Sequence, residues 1–309
     1  MNVIFMGTPE FAVPTLKMLN QNGHNIQLVV TQPDKPSGRG KKLKKSEVKE
    51  AAEDLGLPVF QPDKIKKQEN LDVLKQYNPD VIVVVAYGQI LSKEILDLPK
   101  FGCINVHASL LPKLRGAAPL NWAIINGEKK TGVTTMKMDV GLDTGDMLLK
   151  SEVEIDEHMN VGQLHDILMV KGAELLIETL EKIENYKIVP EKQDNSLSNY
   201  APMFNNENRK INWNLSAKKI HDLIRGLSPW PTAYFVMEDK TVKVYESAFT
   251  KEKTNHEPGY VIKADNEGIF VAANEGIVIL KEIQMPGKNK MTVDAYLRGN
   301  KFPEHILLS

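Results

Sequence analysis

Short, nearly unbroken apolar runs alternate with amphipathic stretches through the first part of the chain. Asn2–Met6, Ile26–Thr31, Val59–Phe60 and Asp80–Ala86 are rich in β-branched residues, as parallel strands covered on both faces are. Apolar residues at helical spacing between them predict helices near Phe11–Asn20, Glu47–Leu55 and Glu69–Tyr77. This alternation predicts an α/β fold, a Rossmann-like, mostly parallel sheet with right-handed crossovers. Gly102–His107 reads as a further strand that feeds the Pro- and Gly-punctuated loop Ser109–Gly116. The threonines of Thr131–Met138 place one more strand at an edge or half-exposed position.

Val161, Leu164, Leu168, Leu175, Leu176 and Ile183 form a helical stripe, preceded by Asn160 and Gln163 as a capping box. The pattern then breaks. Residues 190–208 are polar, Asn-rich and poor in aliphatics, which predicts a linker. Beyond it comes a helix over Ala217–Gly226, then five short strands at Ala233–Met237, Val242–Ala248, Gly259–Ala264, Ile269–Ala273 and Ile277–Ile283. Strands of that length separated by Gly, Asn and Asp turns predict a small β-barrel. The expected division is 1–189, a linker at 190–208, and 209–309.

Composition supports two domains. A chain of 309 residues with 42% hydrophobic and 26% charged positions exceeds the ~250–300 residues at which single cores stop growing. A single cysteine excludes a disulfide framework and a multi-thiolate zinc site, and no HExxH-like run suggests a metal. The amino-terminal residues lack the basic and apolar regions of a signal peptide, and no apolar run approaches the ~20 residues of a membrane span. A cytoplasmic, non-membrane protein is the expectation. The net charge of −1, from 39 basic and 40 acidic residues, argues against a nucleic-acid partner only if charge is evenly spread. It is not. Lys35, Arg39, Lys41, Lys42, Lys44, Lys45 and Lys49 stand against Glu47 alone, a local balance of +6 in a loop broken by Pro36, Gly38 and Gly40. Such a concentration attracts phosphates.

The chemistry-bearing stretch is Asn105-Val106-His107-Ala108-Ser109-Leu110-Leu111-Pro112. Alternation on a strand directs Asn105 and His107 to one side, at the carboxyl end where open α/β sheets place ligands. An amide and an imidazole there suit acyl-group chemistry, one donating to an oxyanion and the other handling protons. The same pair also fits a polar strand end satisfied by neighbouring backbone. Met138–Asp146 holds three acids and two glycines, either an acidic hairpin tip or a carboxylate source for His107. Gly7-Thr8-Pro9-Glu10 matches neither a dinucleotide fingerprint nor a P-loop, which disfavours nicotinamide chemistry. Gly88-Gln89-Ile90 is a flexible turn near the expected site, and Cys103 reads as a buried small hydrophobe.

Asn105-x-His107-x-Ser109-Leu110-Leu111-Pro112 followed by Gly141–Asp146 resembles the folate-dependent formyltransferases. Within that superfamily the closer likeness is to the methionyl-tRNA branch. It is carried by Phe5–Pro14, Gln32-Pro33-Asp34, Gly38–Leu43, Arg115-Gly116-Ala117-Ala118-Pro119 and Gly287–Met291, in order along essentially the whole chain. The resemblance implies a Rossmann-like catalytic domain, an OB-fold-like second domain, 10-formyltetrahydrofolate as formyl donor, and the α-amine of methionine on initiator tRNA as acceptor. It gives Asn105, His107 and Asp143 the catalytic positions and Ser109, Leu110, Leu111 and Pro112 a folate contact. Tyr87, Gly88, Gln89, Ile90 and Leu91, with Val140, Gly141 and Leu142, are then expected to line the pterin pocket, largely through backbone. Lys35, Arg39, Lys41, Lys42, Lys44 and Lys45 match the loop that approaches the tRNA acceptor end. Lys218, His221 and Arg225 share one helix face, where the resemblance implies further RNA contacts and the charge pattern alone a solvated surface. No metal is implied, and a monomer is expected. A formyltransferase acting on a nucleotide-linked amino sugar is the nearest rival, disfavoured by the basic loop. A non-catalytic RNA-binding module is disfavoured by the Asn–His–Asp set.

Overall fold

A computed structural model of the chain describes residues 1–37 and 42–309, with only the backbone of Ser37 and Lys42. The apolar runs become strands β1 (Asn2–Gly7), β2 (Asn25–Val30), β3 (Val59–Phe60), β4 (Val81–Val85) and β5 (Cys103–His107). They pair in parallel in the order β5-β4-β1-β2-β3. Every residue of β4 and β5 is buried, as central parallel strands with both faces covered must be. The helices between them are Val13–Gln21, Glu47–Asp54 and Gln68–Lys75. Ser46 caps the second of these by accepting from the Lys49 N–H.

The sheet continues through β6 (Lys130–Lys137) and β7 (Asp146–Glu154), giving β7-β6-β5-β4-β1-β2-β3. β6 runs antiparallel to β5, with Asn105 opposite Met136 and His107 opposite Thr134. The expectation that Thr131–Met138 lies at an edge is corrected. All six inner residues of β6 are buried, and the edge belongs to β7, of whose residues only Met147 is buried. The threonines fit an interior because their hydroxyls are bonded. Thr134 Oγ1 donates to Ser109 O at 2.7 Å, and Thr135 and Thr179 hydroxyls lie 2.8 Å apart.

The helix Val161–Glu184 opens with the expected capping box. The Asn160 N–H donates to Gln163 Oε1 at 2.9 Å, and the Gln163 N–H donates to Asn160 Oδ1 at 3.0 Å. Gly172 lets this helix approach β5 closely, since a Cβ there would stand 2.8 Å from Val106 Cγ1.

Two units emerge. One comprises Met1–Gly116, Thr131–Val153 and His165–Tyr200; the other comprises Ala117–Lys130, Glu154–Leu164 and Ala201–Ser309. The second is built on an antiparallel sheet of β8 (Ala233–Met237), β9 (Lys240–Thr250), β10 (Val261–Asp265), β11 (Gly268–Ala272), β12 (Ile277–Gln284) and β13 (Met291–Thr292). The order is β8-β9-β12-β11-β10, and β13 pairs with β12. Register shifts at Glu246 add twist to β9. Residues 305–309 bond to both edge strands. His305 N–H donates to Val261 O at 2.9 Å, and Ser309 N–H donates to Val236 O at 3.1 Å. Trp213, Ile220, Ile224, Phe235, Val271 and Leu280 are among its core residues.

Candidate active site

Asn105 and His107 leave the same face of β5 and are 8% and 6% exposed. His107 Nε2 lies 3.0 Å from Leu114 O. A carbonyl oxygen only accepts, so Nε2 carries the hydrogen and Nδ1 is the atom left to exchange protons. Nδ1 stands 3.7 Å from Asp143 Oδ1, an ion-pair separation rather than a direct hydrogen bond. The Asn105 amide has no hydrogen-bond partner among the described residues. Its atoms are not among the fully enclosed polar atoms left without a partner, so solvent reaches the amide and a ligand can take the place of that solvent. Cys103, two residues earlier, is buried as expected; burial pushes its thiol up to about 12.

Two tight turns set this geometry. Leu114 has φ +56° and Asp143 φ +54°, a left-handed conformation that costs an L-residue about 1–2 kcal/mol. The Asp143 turn is held by Asp139 Oδ1, which accepts from the Gly141 N–H at 3.0 Å and Thr144 Oγ1 at 2.7 Å. A Cβ at Gly145 would collide with Lys137 O. Asp143 Oδ2 accepts the Gly116 N–H at 2.8 Å, leaving Oδ1 toward His107. Asp146 instead opens β7, so Asp143 is the acid that faces the imidazole.

Sequence reasoning missed the groups that hold these turns. Gln193 Nε2 donates to Asp143 O at 2.8 Å and Gly145 O at 2.7 Å, and Asn199 Oδ1 accepts the Leu114 N–H at 2.6 Å. Gln193 Oε1 accepts from Arg115 Nε at 3.0 Å and Nη2 at 2.8 Å. Both amides lie in the polar stretch whose composition reads as a linker, and no local periodicity marks them.

The remaining expected ligand residues fall on loops at strand ends. Ser109–Pro112 is pinned to β6, because Thr134 Oγ1 also accepts the Leu111 N–H at 3.1 Å; the Leu111–Pro112 bond is cis. Ser109 and Leu111 side chains are buried and Leu110 and Pro112 half-buried. Tyr87 and Leu91 pack into the core, where burial pushes the Tyr87 phenol up. The Gln89 side chain is committed to Ile65 N at 2.7 Å and Pro62 O at 3.1 Å. What this loop offers a ligand is therefore backbone, with φ +85° at Gly88. Ile90, Val140 and Leu142 are 80%, 73% and 52% exposed, apolar surface of the kind that a ligand or partner covers.

The basic segment is partly structured rather than a plain loop, since Lys35–Ser37 pairs antiparallel with Lys42–Lys44. Lys44 bonds Glu47 at 2.7 Å, Lys45 bonds Glu53 at 2.6 Å and Lys49 bonds Asp34 at 2.7 Å. Hydrogen bonds from Lys49 and Gln61 hold the Asp34 carboxyl below its ordinary range. The local balance of +6 thus overlooks acids just outside the window, of which Asp34 and Glu53 pair with its lysines. Arg39, Lys41 and the Lys42 side chain lie outside the described residues.

The helix face of Lys218, His221 and Arg225 is a correction. Two of its three residues are interior rather than solvated, with His221 6% and Arg225 7% exposed, while the Lys218 side chain stays 46% exposed. Arg225 Nε donates to Asp222 Oδ1 at 2.9 Å and Nη1 to Met159 O at 2.9 Å, while Lys218 pairs with Asp222 Oδ2 at 2.7 Å. Segment Glu154–Leu164, far away in sequence, covers this face, so spacing on the helix alone gives no warning.

Residues 1–180 match the family described as formyl transferase, and residues 204–301 match the formyl transferase C-terminal domain. The chain belongs to the formyl transferase family. It is 56% identical over 301 residues to a methionyl-tRNA formyltransferase from Clostridium novyi, covering 97% of each chain. It is 51% identical over 308 residues to one from Clostridioides difficile, covering all of both. An N-formyltransferase from Helicobacter canadensis, solved with folinic acid and dTDP-3-aminofucose, shares the fold at TM-score 0.68 and 21% identity, over 90% of this chain and 98% of its own. HypX from Aquifex aeolicus, in complex with tetrahydrofolic acid, aligns at TM-score 0.65 and 18% identity over 97% of this chain and 47% of that one. Among the described residues no helix is long and apolar enough to cross a membrane, and no group of three His, Cys, Asp or Glu is placed to hold a metal ion.

Proposed function

We propose that Asn105, His107 and Asp143 transfer the formyl group of 10-formyltetrahydrofolate to the α-amine of methionyl initiator tRNA, yielding formylmethionyl-tRNA for translation initiation. The carrying observation is a buried imidazole whose free nitrogen faces a carboxylate, on the same strand face as an unengaged amide. The bound donor supplies a formyl carbon activated on an aniline-like nitrogen, N10. As the amine adds to that carbon, the carbonyl electron pair moves onto oxygen. Asn105 donates to this oxyanion. His107, protonated, donates to it from Nδ1, since Nε2 is committed to Leu114 O. Asp143 keeps the imidazolium oriented and assists removal of the amine proton. Collapse of the intermediate re-forms the C=O bond, breaks the bond to N10 and releases protonated tetrahydrofolate nitrogen.

Ser109–Pro112, Tyr87–Leu91 and Val140–Leu142 form the folate site, a reading supported by their backbone-rich, apolar-tipped loops. Lys35, Arg39, Lys41, Lys42, Lys44 and Lys45 receive the tRNA. Residues 1–189 carry catalysis and 209–309, joined through 190–208, carry an OB-like tRNA-binding barrel. The bridging of both edge strands by residues 305–309 supports the closed barrel. The protein is a cytoplasmic monomer in this reading. Incubation with 10-formyltetrahydrofolate and methionyl initiator tRNA is expected to give formylmethionyl-tRNA. Formylation of a nucleotide-linked amino sugar in place of the tRNA refutes the acceptor assignment.

A further inference from the structure

We propose that Gln193 is a positioning residue for this reaction, and that Gln193–Asn199 is a strap that sets His107 and Asp143 against each other. The inference rests on the catalytic reading above and adds a part that touches no substrate.

The orientation of the Gln193 amide is forced. Arg115 is 5% exposed and its guanidinium can only donate, so Gln193 Oε1 must face it, at 3.0 Å from Nε and 2.8 Å from Nη2. Both Gln193 N–H groups are thereby turned to the carbonyls of Asp143 and Gly145, at 2.8 and 2.7 Å. These carbonyls bracket the turn in which Asp143 takes φ +54°. The amide has no capacity left over, so its influence on chemistry passes through the Asp143 backbone.

The other end of the strap acts on the imidazole. Asn199 Oδ1 accepts the Leu114 N–H at 2.6 Å, and Asn199 O accepts the Arg115 N–H at 3.0 Å. Leu114, with φ +56°, presents the carbonyl that receives His107 Nε2–H. Arg115 Nη2 also donates to Asn195 Oδ1 at 2.9 Å, joining the two ends. One seven-residue segment thus grips both left-handed residues that fix the two members of the His–Asp pair. The 3.7 Å separation of that pair is short of a hydrogen bond and depends on where these turns are held.

Gln193→Glu separates positioning from stability. The carboxylate keeps its pairing with Arg115 but turns an oxygen, not an N–H, toward two carbonyl oxygens. We expect kcat for formyl transfer to fall about 100-fold, the scale of a ~1 Å misplacement at a reacting centre. KM for both substrates stays within about threefold because the substrate-contacting groups are retained. The melting temperature falls, since a carboxylate oxygen replaces two donors facing carbonyls, so kcat is read per folded molecule. Gln193→Met, of similar shape with no hydrogen bonds, falls between Glu and Gln. A Gln193→Glu kcat within about threefold of the parent enzyme overturns the proposal. So does a loss of activity that only tracks the folded fraction in both variants. The parent enzyme and His107→Ala serve as controls. If the parent makes no formylmethionyl-tRNA, or His107→Ala is as active as the parent, the catalytic reading itself fails; if both behave as expected and Gln193 is inert, only the strap does.

Discussion

His107 and His221 are buried to the same degree, each 6% exposed, and differ in what their neighbours leave undone. Both nitrogens of His221 are engaged, Nδ1 with Ser247 Oγ at 3.0 Å and Nε2 with Glu157 O at 3.3 Å. Asp222 and Arg225 beside it are satisfied by each other, by Lys218 and by backbone carbonyls. At His107 one nitrogen is committed and the other faces a carboxylate beyond hydrogen-bond reach, near an amide with no partner. A saturated polar cluster in the interior stabilises a fold and specifies its packing. One with bonding capacity left over, as at His107 and Asn105, offers a ligand the place where that bonding is completed.

The comparison breaks most visibly at His107. His107→Ala should lower formyl transfer about 10³-fold per folded molecule, within the range for loss of a general acid–base group, and cost about 1–3 kcal/mol in unfolding because the Leu114 carbonyl loses its donor. A variant that kept its rate would make the two histidines equivalent. Asn105→Ala should lower kcat about 10²-fold, as removal of one oxyanion donor does, and should not destabilise the fold because the amide has no protein partner. Urea unfolding that showed marked destabilisation would assign Asn105 a structural role instead.

On the saturated side, Arg225→Met strands Asp222 with Lys218 alone and should cost about 3 kcal/mol in urea unfolding. The kcat per folded molecule should be unchanged. The smallest effect is in pH. Burial lowers the His221 pKa, with Arg225 adding to it against an opposing bond to Glu157 O. Its neutral form is therefore favoured by folding. That contribution is complete above the ordinary histidine value of ~6.5 and is lost as pH falls toward the lower folded value. His24, lowered by its own burial, acts in the same direction. His221→Asn should flatten, without abolishing, the decline of unfolding free energy below that pH. An unchanged slope would remove His221 from the saturated class.

Legibility followed the range of the interaction. The strand runs, the Asn160–Gln163 capping box and the shared face of Asn105 and His107 depend on neighbours within a few residues, and the structure has each of them. The threonines of β6 misled because their polarity suggested solvent while their partners, Ser109 and Thr179, lie far off in the chain. The basic loop was legible as a charge concentration, though acids just beyond it pair with Lys45 and Lys49. Lys218, His221 and Arg225 shared a face as expected, but a segment some sixty residues earlier determines whether that face meets water.

By itself the sequence determined the parallel α/β half, the β-rich second half and the strand that presents an amide and an imidazole together. Side-chain alternation and helical periodicity are properties of a local axis and are written in adjacent residues. Tertiary structure alone decided that Asp143 rather than Asp146 faces His107, that Gln193 and Asn199 hold the two turns, and that Arg225 is interior. Those outcomes depend on which distant backbone groups packing brings within about 3 Å, where a hydrogen bond forms or fails.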